Sequence, residues 1–168
     1  MISKPKRLAF LSMMTAFALV LSYIEALLPP IYAAVPGIKI GLPNIVIIFL
    51  LYRLSFKEAI IVSFVRMFLV ALLFGNTMTL LYSVAGAVLS IAVMWVLKRT
   101  KFFSKVGVSV AGGVFHNVGQ IIVAVIVLQT VEIGLYMPIL AISGTLAGIA
   151  VGLISSLLIK KLEKIKLW

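Results

Sequence analysis

Hydropathy along the chain breaks at charged or Pro/Gly-rich points and leaves six candidate helices, at approximately 8 to 25, 39 to 53, 57 to 74, 77 to 97, 106 to 128 and 136 to 159. Most approach the roughly 20 residues that a bilayer core of about 30 Å requires. The second is short: at about 1.5 Å per residue it reaches only some 22 Å, so a re-entrant or thinned segment is the alternative to a full crossing there.

Charge decides between the two. With six crossings and the N-terminus inside, one side holds Lys4, Lys6 and Arg7, then Arg53 and Lys57, then Lys98, Arg99, Lys101 and Lys105, then Lys160, Lys161, Lys164 and Lys166. Of the 15 basic residues only Lys39 falls outside and only Arg66 within a span. If the second segment failed to cross, the 98–105 cluster and the C-terminal tail would lie on opposite sides and the positive-inside bias would collapse. The expectation is an all-α integral membrane protein, a compact bundle of six transmembrane helices forming one domain over residues 1–168, with both termini cytoplasmic, in the plasma membrane.

Composition agrees. Of the 168 residues 64% are hydrophobic and 11% charged, and the mean hydropathy is +1.28; soluble domains are about 45–50% apolar and about 25% charged. The net charge of +11 would suggest nucleic acid if it formed a surface patch, but the cations come in short clusters between apolar runs, the pattern of cytoplasmic loops. No nucleic-acid partner is expected. The basic N-terminus resembles the start of a signal peptide, yet its apolar run exceeds the usual 7–15 residues of an h-region, and no small-x-small cleavage site follows closely. It reads as a retained first helix, with a cleaved signal the lesser alternative.

The connections differ in character. Cytoplasmic links are short and basic, whereas the first external link, "EALLPPIYAAVPGIK", is long, carries Pro29, Pro30, Pro36 and Tyr32, and is either a lid over an external site or a plain connection. The third external link, "QTVEIGLYMP", is similar. Small residues mark where helices touch. Gly144, Gly148, Gly152 and Ser156 recur every fourth residue on the last helix, and shorter versions appear at Ser12 with Ala16 and at Gly86 with Ser90. Such stripes let backbones approach closely within a bundle, or serve a partner protein.

Two positions stand out chemically. Gly112, His116, Gln120 and Ala124 lie along one stripe of the fifth helix, with Asn117 at its flank and His116 near mid-membrane. Arg66 sits nine residues into the third helix, where an arginine is costly and ordinarily pairs or lines a wet cavity. No acidic residue falls at its depth, and an unpaired cation there points to an anionic ligand. Lys39 and Asn44 at the start of the second helix, and Asn76 and Tyr82 at the start of the fourth, add polar groups from the middle to the outer half. Helix-to-helix hydrogen bonding is the alternative for each of the neutral ones.

Enzymatic readings do poorly. There is no Gly-rich Lys-Ser/Thr phosphate loop, so the chain does not itself hydrolyse ATP in that manner. One histidine and no Cys or Asp build no familiar zinc site, and His116 has no acid nearby in sequence for a triad. No catalytic residue, metal or cofactor is expected.

The segments "VPGIKIGLPNIVII" (35 to 48), "LYSVAGAVLSIAVM" (81 to 94) and "AGGVFHNVGQIIVA" (111 to 124) resemble the Gx transporter family, also labelled heptaprenyl diphosphate synthase component I. The Lys39-x-Gly41-x-x-Asn44 and His116-Asn117-x-x-Gln120 elements carry the likeness. That family is similar to the substrate-binding S components of energy-coupling factor (ECF) transporters. The resemblance implies six helices, an external ligand pocket, and a helix-1 Ala-x-x-x-Ala motif that docks on a transmembrane coupling subunit served by ATPase subunits; Ser12-x-x-x-Ala16 stands in that place here. It implies a membrane-embedded substrate-binding subunit of an importer for a small anionic, vitamin- or isoprenoid-related solute; the polar residues read above, Lys39, Asn44, Arg66, Asn76, Tyr82, His116, Asn117 and Gln120, are the candidate ligand residues. The alternative is a non-catalytic membrane subunit in heptaprenyl diphosphate or quinone biosynthesis. Prenyl diphosphate synthases hold diphosphate through magnesium on aspartate-rich motifs, and this chain has no aspartate.

Overall fold

The computed structural model describes residues 4–28 and 41–163. Lys39, Tyr32 and the prolines of the first external link lie outside the described residues. Within them the chain forms six α-helices: α1 (Lys4–Leu27), α2 (Asn44–Arg53), α3 (Phe56–Leu73), α4 (Thr77–Thr100), α5 (Lys105–Leu128) and α6 (Met137–Leu162), the last preceded by a 3-10 stretch, Val131–Tyr136. Four are long and apolar enough to cross a membrane: α1, α4, α5, and α6 with its 3-10 lead-in. Large apolar side chains such as Leu72, Ile126, Ile142, Leu146 and Leu157 cover the outside, where a water-soluble protein would place polar groups. The chain is a membrane protein by the reach and composition of its helices.

Local chemistry sets the helix ends. Asn76 caps α4 by accepting from the Thr79 amide at 2.8 Å, and Ser104 caps α5 by accepting from the Gly107 amide at 3.0 Å. The second helix begins at Asn44, later than the hydropathy break at 39 suggests, because a turn precedes it. Gly41 takes a positive φ of 76° there, a conformation that glycine adopts without steric cost, and Leu42 and Pro43 complete the turn. At about 1.5 Å per residue α2 is then only some 15 Å long. Residues 45–51 are buried on every side, so α2 is the centre of the core.

Helices α4, α5 and α6 pack closely through glycine. A Cβ on Gly148 would stand 2.6 Å from Val110 Cα, one on Gly144 would stand 2.9 Å from the Gly113 carbonyl oxygen, and one on Gly152 2.9 Å from Val106 Cα. Three successive turns of α6 therefore lie backbone to backbone on α5. Helix α1 rests chiefly on α3.

At the basic end, side chains tie off helix termini. Arg53 donates to the Leu162 carbonyl at 3.1 Å and Lys98 to the Leu51 carbonyl, each a cation at a helix C-terminus. Lys98 also lies over the Tyr52 ring, 5.2 Å from its centroid. Glu58, buried in the first turn of α3, accepts from Ser55 and pairs with Arg7 of α1.

Candidate functional site

A cavity of about 470 Å³ opens at the end opposite these cations, between the C-terminus of α1, the turn into α2 and the link from α3 to α4. It descends between the helices to Met94 on α4, Ser109 on α5 and Val151 on α6. Six of the eight residues singled out as ligand candidates line it: Asn44, Arg66, Asn76, His116, Asn117 and Gln120. Tyr82 is partly buried on α4 and does not line it, while Lys39 lies outside the described residues.

The stripe on α5 explains its convergence. Ser109, Gly113, His116 and Gln120 follow one another at spacings of four, three and four, so one face of α5 supplies the wall. Gly86 of α4 makes room for the histidine: a Cβ there would stand 2.8 Å from Cε1 of the His116 ring. Not every polar residue is available to a ligand. Asn117 is buried and donates from Nδ2 to the Leu140 carbonyl at 2.6 Å, bracing α5 against α6. Asn76 is the α4 cap already described. His116 and Gln120 on one wall, with Asn44 at the α2 turn, also line the cavity.

The expectation that Arg66 stands without a partner is corrected. Helix α1 lies alongside α3, and Ser22 and Glu25, three residues apart on one face of α1, both line the cavity beside Arg66. Arg66 donates from a terminal guanidinium nitrogen to Ser22 Oγ at 3.0 Å, and the Glu25 carboxylate acts on it electrostatically. Glu25 also accepts from the Gly41 amide, joining the end of α1 to the entry of α2. Sequence counting places Glu25 at the helix end, but a glutamate side chain reaches back along its helix toward the N-terminus. The Arg66 Nε remains buried without a protein hydrogen-bond partner.

Thr79, Ser83 and Ser109, which the sequence pattern does not single out, and Ser90, which it marks only as a packing position with Gly86, also line the cavity. The signal for Ser109 was present: it continues the α5 stripe by one turn beyond Gly112 and Gly113. Among the described residues no group of three or more His, Asp or Glu side chains is placed to hold a metal ion. What the cavity offers chemically is one guanidinium, one carboxylate, an imidazole, amides and hydroxyls.

A family model described as heptaprenyl diphosphate synthase component I matches residues 14–158, most of the chain and every helix. The chain belongs to the heptaprenyl diphosphate synthase component I family. Searches of curated proteins and of solved structures each returned no match. The name component I makes such a protein one member of a multi-component system. In this member of the heptaprenyl diphosphate synthase component I family Ser12 and Ala16 are exposed on α1, next to exposed Met13 and Phe17.

Proposed function

We propose that the chain is a membrane-embedded solute-binding subunit of an importer, comparable to the S component of an ECF transporter. The observation that carries this reading is the 470 Å³ cavity lined by Arg66, Glu25, His116 and Gln120. Its size falls in the range of about 300–1,000 Å³ typical of small-molecule sites, and a buried guanidinium in a membrane protein ordinarily marks a ligand or ion path. In this reading six helices cross the plasma membrane with both termini cytoplasmic, and the cavity faces outside. Arg66 binds an anionic group of the solute, His116, Gln120 and Asn44 orient it, and Lys39, two residues before Gly41 in the sequence, adds positive charge. Ser12 and Ala16 on α1 meet a transmembrane coupling subunit, and ATPase subunits supply the energy.

The family description favours a second reading, a non-catalytic membrane subunit that accompanies a soluble prenyl diphosphate synthase. Affinity purification of the tagged chain from its native membrane separates the two. Co-purifying ATPases support the importer; a co-purifying prenyl synthase supports the second reading.

A further inference from the structure

The cavity is long. Its lining runs from Thr79 to Met94 on α4 and from Ser109 to Gln120 on α5, a depth of roughly 16 to 22 Å, whereas a sphere of the same volume would be only about 10 Å across. Its two charged groups among the described residues, Arg66 and Glu25, leave the far end without a counter-charge. That floor is formed by Met94, Val151, Gly112 and Gly148 together with two hydroxyls, Ser90 of α4 and Ser109 of α5. Both serines are closed to solvent, at 4% and 3% exposure.

Ser109 is the informative one. Its Oγ is buried and meets no protein hydrogen-bond partner, although a helical serine ordinarily turns its hydroxyl onto the carbonyl four residues back. A buried polar atom left without a hydrogen bond is costly, so a group this far inside calls for a partner. Gly152 lies alongside it, and a Cβ there would stand 3.2 Å from Ser109 Oγ. Gly112 stands in the same relation to Ser90 Oγ, also at 3.2 Å. Glycine at both positions lets neighbours close in beside the hydroxyls: a Cβ on Gly112 would stand 2.5 Å from Met94 Sδ, and one on Gly152 2.9 Å from Val106 Cα.

We propose that Ser109 and Ser90 form a distinct subsite at the floor, and that the solute is an extended molecule with an uncharged hydrogen-bonding group at its inner end. Its anionic group lies against Arg66. Counted from the link at Gly75, Arg66 is nine residues up α3 and Ser90 fifteen residues along α4, so the charged and uncharged groups of the solute are separated by roughly 9 Å or more. A hydroxyl, carbonyl or ring nitrogen fits the serines; an ammonium or carboxylate there would face apolar walls with no opposite charge. This inference rests on the reading of the cavity as a solute site and adds to it where the solute ends and what it ends in.

The chain has no cysteine, so single cysteines report on single positions. Thr79→Cys at the mouth, Ser109→Cys and Ser90→Cys at the floor, and Ile142→Cys on the outer face are each placed in lipid nanodiscs. They are exposed to neutral hydroxyethyl methanethiosulfonate and to its cationic trimethylammonium analogue, and modification is followed by intact mass. The neutral reagent is expected to modify Thr79→Cys and at least one floor variant but not Ile142→Cys, and to outpace the cationic reagent at the floor by about tenfold or more, a charge-burial effect absent at the mouth. Reaction at Thr79→Cys with both floor variants inert overturns the subsite and leaves the solute-site reading standing. Equal rates of the two reagents at the floor overturn the uncharged end. If Thr79→Cys itself is inert, the cavity is closed to water and both readings fall.

Discussion

Ser22 stands between Arg66 and its own backbone: its hydroxyl donates to the Ala18 carbonyl at 2.8 Å and accepts from the Arg66 guanidinium at 3.0 Å. With its proton committed to Ala18, the serine oxygen turns its lone pairs to the cation. Glu25, one turn further along the same face, adds the opposite charge. An arginine that sequence counting leaves stranded in lipid is thus held by one face of α1, and held loosely enough to keep its Nε without a protein partner.

That arrangement predicts an order of stabilities for the empty protein. Glu25→Gln leaves Arg66 charged with only a serine beside it and should lower the unfolding temperature most. Arg66→Met with Glu25→Gln removes both charges and should recover much of the loss, with a coupling of about 0.5–3 kcal/mol. Thermal unfolding of wild type, both single variants and the double variant in one detergent checks this; strictly additive effects would place Glu25 and Arg66 out of contact.

Helix crossing makes a second prediction. A leucine at Gly148 must displace the α5 backbone at Val110, whereas one at Ile149, partly exposed on the outer face, displaces nothing. Gly148→Leu should destabilise by about 1–3 kcal/mol or prevent a monodisperse preparation, and Ile149→Leu should do neither. Size-exclusion profiles and unfolding temperatures that match for the two would remove Gly148 from the interface.

At the opposite end Glu58 is buried and Arg7 is half exposed. Arg7→Ala leaves a buried carboxylate uncompensated, so it should cost more stability than Glu58→Gln, which removes the buried charge and keeps a hydrogen-bonding group for Ser55. The reverse order in unfolding temperature would mean that the pair does not anchor α1 to α3.

Topology follows from the same opposition of ends. Thr100 closes α4 among the cations, while Thr130 follows α5 at the mouth end. A cysteine at Thr130 should react with an impermeant maleimide on intact cells and one at Thr100 only after permeabilisation. Labelling of both from outside would end the six-crossing reading.

The helices were legible because lipid allows a chain little else: backbone groups must be satisfied within a segment, and apolar runs with basic ends mark those segments. Where α2 begins was less legible, since the Gly41 turn and Pro43 move its start to Asn44. The cavity was legible only in part. His116 and Gln120 share a stripe that period alone reveals, but Asn117 on its flank is spent on the Leu140 carbonyl, and no sequence pattern tells a bracing amide from a ligand amide. Glu25 and Ser22 were missed because they meet Arg66 through the packing of α1 on α3, a contact 44 residues apart for Ser22 that periodicity within one helix cannot register.

The most direct measurement of the central claim is native mass spectrometry of the protein released from nanodiscs prepared from its own membrane, compared with two variants. Arg66→Met removes the guanidinium, and Ala147→Phe fills the cavity from α6, where Ala147 lines it. A solute site predicts a wild-type adduct of one defined small-molecule mass, reduced about tenfold or more in Arg66→Met and absent in Ala147→Phe. An adduct retained equally by all three folded proteins, or none on the wild type, would contradict it.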